Sequence, residues 1–120
     1  MVYTSGSLAL AALELLVHVD RSNVPPDLVQ IEIEIPDDLG VQRIEVGSLP
    51  ASWREYPAPE ALQRLGDEWL AGRSTPVLQV PSAVIPEEHN YLINPDHPQA
   101  ARAVAVGTNP FNYDPRLGSH

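Results

Sequence analysis

Cysteine and lysine are both absent from this 120-residue chain, and each absence removes a class of chemistry. Without cysteine there is no disulfide framework and no thiolate to act as nucleophile or ligand, a usage compatible with the cytoplasm. Without lysine, the seven strong cations are all arginines, set against 16 acidic residues for a formal net charge of −9. Such a balance disfavours a surface for nucleic acid or an anionic membrane. An anionic ligand must instead meet a local arginine or a helix terminus. Long hydrophobic runs are lacking as well. The stretch from Leu8 to Val17 is too short to span a bilayer and has no basic residue before it, so it fits neither a transmembrane helix nor a signal peptide. The chain reads as soluble and intracellular. There is no Gly-rich dinucleotide fingerprint and no P-loop. His18, His89 and His97 share no ligand spacing, so they read as structural and no metal is expected.

Apolar residues make up 43% of the chain and charged residues 19%, a globular composition, and the length suits one domain. The expected domain spans residues 1–117, and Gly118-Ser119-His120 reads as a tail or tag remnant. Thirteen prolines imply short elements and many turns. Val2-Tyr3-Thr4 reads as a strand, and Ser5-Gly6-Ser7 as a turn and N-cap for a helix from Leu8 to about His18. Residues 28–35 alternate, with Val29, Ile31, Ile33 and Ile35 on one face. With the turn Pro36-Asp37-Asp38-Leu39-Gly40 and the strand 41–46 they predict a hairpin. Leu62, Leu65, Trp69 and Leu70 predict a helix over about 59–71 that packs on the sheet, with Gly72 as its stop. Strands are predicted at 77–80 and 91–93, and more weakly patterned ones at 103–106 and 111–113.

Glu14 is the single charge in the otherwise apolar run from Leu8 to Val17. A helix without a polar stripe is expected to be buried on all sides, where an unpaired carboxylate is costly. Two readings follow: a carboxylate tied into a structural network, or one kept for function. Ser82, after Pro81 at the end of an apolar strand, reads as a turn serine or as a hydroxyl aimed at a ligand. Nothing in the spacing supplies a His and acid pair that would make it a nucleophile. Tyr3 reads either as a core aromatic or as a stacking surface. Asn90 and Asn94 flank a short strand and could cap turns or bind a ligand, with the turn reading preferred for both.

Three segments together resemble the RES domain family, named for an Arg, a Glu and a Ser. They are Val2 through Glu14 continuing to Val17-His18; Leu49-Pro50 with Trp53 and Gly66-Asp67-Glu68-Trp69-Leu70; and Leu78 through Ala83 with Asn90-Tyr91-Leu92-Ile93-Asn94-Pro95 and His97-Pro98. Asp114-Pro115-Arg116-Leu117 is similar to the family's closing segment. Glu14 falls at the family's Glu and Ser82 at its Ser. The usual N-terminal portion, with the signature Arg and a Gly-rich stretch, has no counterpart before Glu14, so the expectation is a shortened chain or a fragment.

The resemblance implies an α+β fold. The expectation is a single compact domain, similar to ADP-ribosyltransferases, with a mixed or antiparallel sheet and a buried central helix. It implies the toxin of a type II toxin–antitoxin system, one that degrades NAD by cleaving the nicotinamide–ribose bond through hydrolysis or phosphorolysis. NAD is then a substrate, and Tyr3, Glu14 and Ser82 are the catalytic and NAD-binding residues. The implied partner is an Xre-type antitoxin in a hetero-oligomer, with no direct contact to nucleic acid or membrane. Two alternatives stay open: an inactive remnant that serves as a binding module, and a protein ADP-ribosyltransferase.

Overall fold

The computed structural model describes residues 1–19 and 24–118. Strand β1 (Val2–Ser5) leads through Gly6 into helix α1 (Leu8–His18). Ser7 is extended, and its Oγ accepts a 3.1 Å hydrogen bond from the Leu10 amide, satisfying one of the helix's orphan donors. Gly6 is required by a close approach: its amide donates to the His89 carbonyl at 2.9 Å, and an added Cβ would come within 3.1 Å of that oxygen. The chain can therefore turn tightly against its neighbouring strand.

The remaining elements are β2 (Val29–Glu34), β3 (Val41–Arg43), α2 (Glu60–Gly72), β4 (Val77–Pro81), β5 (His89–Ile93) and β6 (Val104–Pro110). A four-stranded sheet runs β1-β5-β4-β3, antiparallel except for the parallel pair β3–β4, and β2 and β6 form a separate antiparallel ribbon. Two helices and mixed sheets make an α+β domain, as expected. The expected hairpin over 28–46 does not form. Its turn is real, with the Leu39 amide donating to Pro36 O at 3.0 Å, but β2 pairs with β6 and β3 with β4. The late strand runs from 104 to 110, and Phe111 and Tyr113 follow it outside any strand, their rings edge-on at 5.0 Å. Helix α2 includes Gly72 and ends at Arg73, which adopts the left-handed conformation with φ 50°. Of the expected tail, Gly118 closes a 3-10 turn from Pro115, and the rest lies outside the described residues.

Alternation along β4 and β5 divides the core in two. Val77 and Ile93 join Leu39 on one face, while Leu78 and Leu92 pack with Trp69 of α2 on the other. Burying a side chain the size of Leu78 contributes about 2–3 kcal/mol. Helix α1 is buried along one line only, at Leu10 and Glu14, and Leu8, Leu13 and Val17 are exposed. The central helix is thus buried on one face rather than all round, and Glu14 lies on that face.

Candidate active site

The register of the central strands explains why polar side chains collect at one end. Tyr3 pairs with Leu92 and Ser5 with Asn90, so Tyr3, Ser5, Asn90 and Leu92 share one face of the sheet. Val80 pairs with Asn90, which puts Ser82 just beyond the end of β4 on the same side of the molecule. Glu14, one turn after Leu10 along α1, is brought down onto this end.

Only 8% of Glu14 is exposed. Its Oε1 accepts from the Ser82 hydroxyl at 2.8 Å and from the Asn90 amide Nδ2 at 2.8 Å, while Oε2 has the Ser5 hydroxyl at 3.4 Å. Among the described residues none of the ion pairs involves Glu14, so neutral donors hold the carboxylate. Charge-assisted hydrogen bonds of this kind are the stronger sort and offset part of the desolvation cost.

Ser82 is fully buried, and its hydroxyl has no spare capacity. It donates to Glu14 and accepts from the amides of Val84 at 3.1 Å and Ile85 at 3.2 Å. The turn that supplies those amides is closed by Ser82 N to Glu88 O and Glu88 N to Ile85 O, both 2.9 Å. Arg54 braces it from outside, with Nε donating to Ala83 O at 2.9 Å and Nη2 to Val84 O at 3.4 Å.

Tyr3 is not a core aromatic. It is 60% exposed, yet its hydroxyl turns inward and accepts from Asn90 Nδ2 at 2.6 Å. Burial of that hydroxyl, then the Glu14 charge beside it and their hydrogen bond, push its pKa up to about 12. The phenol thus stays protonated, with its hydroxyl beside a buried carboxylate and more than half of the residue open to solvent.

Sequence reasoning missed Asn90, which it read as a turn residue. The amide lies within β5, is 1% exposed, and spends both N–H groups on Glu14 and Tyr3. Its Oδ1 is buried and has no protein partner among the described residues. A polar residue near the start of an apolar strand was the available signal. The other candidates lie apart. His18 stacks on Tyr56 with centroids 5.6 Å apart, and His97 Nδ1 accepts from the Gln99 amide. Among the described residues no three His, Asp or Glu side chains gather as a metal site. An open depression of about 570 Å³, lined in part by Asp67, Leu70, Arg73, Asn94 and Asp96, shares no residue with the Glu14 cluster. The Glu14 cluster is the stronger candidate site than this depression, because there a buried carboxylate, its buried donors and a partly exposed tyrosine converge.

A fold of this class, with a buried carboxylate between a strand-end serine and an edge-strand tyrosine, agrees with family comparison: the chain belongs to the RES domain family, whose model matches residues 1–114. It is 38% identical over 119 residues to the Prs ADP-ribosylating toxin of Sphingobium sp. strain YBL2, covering 98% of this chain and 74% of that relative. It is also similar to proteins named Toxin Res. Identity is 36% over 117 residues for that of Yersinia enterocolitica, with 97% and 76% covered. For that of Pseudomonas putida it is 37% over 119 residues, with 98% and 79% covered. No helix among the described residues is long and apolar enough to cross a membrane.

Proposed function

We propose that this chain degrades NAD by breaking the bond between nicotinamide and ribose, as the toxin of a type II toxin–antitoxin pair in the cytoplasm. The observation that carries the reading is the Glu14 carboxylate, buried and held by neutral donors beside the hydroxyl of the partly exposed Tyr3. In NAD the nicotinamide ring is a cationic pyridinium and leaves as the neutral pyridine base, its nitrogen taking the electron pair of the glycosidic bond. The ribosyl carbon becomes an oxocarbenium-like cation, and a fixed carboxylate in a low-dielectric setting stabilises it without reorganising. Glu14 is suited to that task. An aromatic face stacks on a cationic ring by both dispersion and its quadrupole, so Tyr3 suits the leaving group. Ser82 contributes to the site with its hydroxyl on Glu14. Water or phosphate then attacks the ribosyl carbon.

Protein ADP-ribosylation shares the first step and differs only in acceptor. The similarity to the Prs ADP-ribosylating toxin of Sphingobium keeps it as the second reading. An Xre-type antitoxin in a hetero-oligomer is the proposed partner. Support for a protein partner comes from apolar side chains left in the open: Val29, Ile31 and Val106 on the ribbon, and Leu8 and Val17 on α1.

The test follows free nicotinamide after the purified chain is mixed with NAD. Glu14→Gln keeps the shape and removes the charge, and its rate is expected to fall by about 100- to 1,000-fold, the usual loss for an electrostatic stabiliser. Equal rates in parent and variant, or no release by the parent, would sink the reading. ADP-ribose attached to added protein in place of free ADP-ribose would move the assignment to the second reading.

A further inference from the structure

We propose that Asn90 is a positioning residue of this site and that, with Ser82, it gives the two oxygens of Glu14 different tasks: Oε1 is the anchor and Oε2 faces the ribosyl group. The inference rests on the reading of Glu14 as the stabilising carboxylate. A carboxylate offers roughly four lone-pair positions, two on each oxygen. Oε1 fills both of its own with short bonds, one from Ser82 and one from Asn90, each 2.8 Å. Oε2 has no donor that close: the Ser5 hydroxyl stands at 3.4 Å, the outer limit of a hydrogen bond, and the Tyr3 phenol lies beside the carboxylate. The oxygen that is short of donors keeps the larger share of available charge, so it is the one able to meet a sugar hydroxyl or a developing cation.

Asn90 fixes more than the carboxylate. Its second N–H holds the Tyr3 hydroxyl at 2.6 Å, so a single planar amide sets the spacing between the ring and the acid. Serving both groups leaves its own buried carbonyl unpaired. A residue present only to fill space or close a turn has no need of that orientation. With 1% of its surface exposed, Asn90 acts through Glu14 and Tyr3 rather than on the substrate.

The experiment compares kcat and KM for nicotinamide release by the parent, Asn90→Ala and Asn90→Asp, with thermal melts of each. Asp is isosteric with Asn but presents an acceptor where Glu14 needs a donor. Both variants are expected to lower kcat roughly 10- to 100-fold, as misplaced catalytic groups do, with KM changed by no more than about twofold. Should both variants unfold, Ser82→Ala removes the other donor to Oε1 and is expected to give the same kcat-only loss. Parent-like kcat in Asn90→Asp would assign Asn90 to packing and overturn the proposal. A rise in KM at constant kcat, for Asn90→Ala or Ser82→Ala, would make the altered residue a direct ligand contact and overturn it as well. In both cases a large parent-to-Glu14→Gln difference would leave the wider reading standing. Loss of that difference would remove both.

Discussion

Asn90 and Asn94 stand at opposite ends of β5, each 1% exposed, and they use the same side chain in opposite ways. Asn94 bonds to backbone on both sides. Its Nδ2 donates to Leu70 O at the end of α2 at 3.3 Å, and its Oδ1 accepts from the Asp96 amide at 3.0 Å. That satisfied pattern latches a helix end and shapes a turn. Asn90 bonds to two ionisable side chains, and its carbonyl has no protein partner among the described residues. The contrast separates a buried amide that serves the backbone from one that serves ionisable side chains, and only the second is a candidate for positioning chemistry.

The comparison can be broken or sharpened by substitution. The largest expected effect on stability comes from the scaffold both ends share. Leu78, 1% exposed and packed with Trp69 and Leu92, is expected to cost about 2–5 kcal/mol as Leu78→Ala in urea unfolding. Both amides then lose their framework, and their difference disappears. Asn94→Ala comes next, with about 1–3 kcal/mol lost because the Leu70 carbonyl and Asp96 amide are left without that partner. The nicotinamide release of its folded fraction should match the parent. A selective loss of kcat in Asn94→Ala would erase the distinction between the two ends. The smallest effect is the pH response of Tyr3. Its hydroxyl keeps its proton in the fold to about pH 12 against the ordinary phenol value of 10.0, so the folded state binds the extra proton between those limits. The associated stability is complete below about pH 10 and is lost as pH rises towards 12. Urea melts at pH 9, 10 and 11 should show a shallower decline in Tyr3→Phe than in the parent. The decline that persists belongs in part to Tyr113, whose pKa burial also raises.

Local structure was legible in the sequence wherever it is decided locally. Ser7 as cap, α1 to His18 and the strand opening at Val77 follow from capping chemistry and short apolar runs. Pairing was not legible, because alternation in 28–35 declares a strand without naming its partner. The true partner, β6, lies more than seventy residues further on (104 against 29). A composition of Leu, Ala and Val hid the one-sidedness of α1, since an exposed leucine looks like a buried one in a string of letters. Glu14 and Ser82 were legible as candidates, and the structure brings them within 2.8 Å of each other. The role of Asn90 was not, since it depends on where its amide points, which is fixed by β1 and α1 rather than by its neighbours in sequence.

The bonds that assemble the site span 68 residues from Glu14 to Ser82, 76 from Glu14 to Asn90 and 87 from Tyr3 to Asn90. During translation the acid and the aromatic ring leave the ribosome first and wait. The serine and the amide that orient them emerge only after most of the domain has been made. Vectorial synthesis therefore makes the Glu14 cluster one of the last features the nascent chain can assemble, and a product that stops short of Ser82 carries Glu14 without either of the donors to its Oε1.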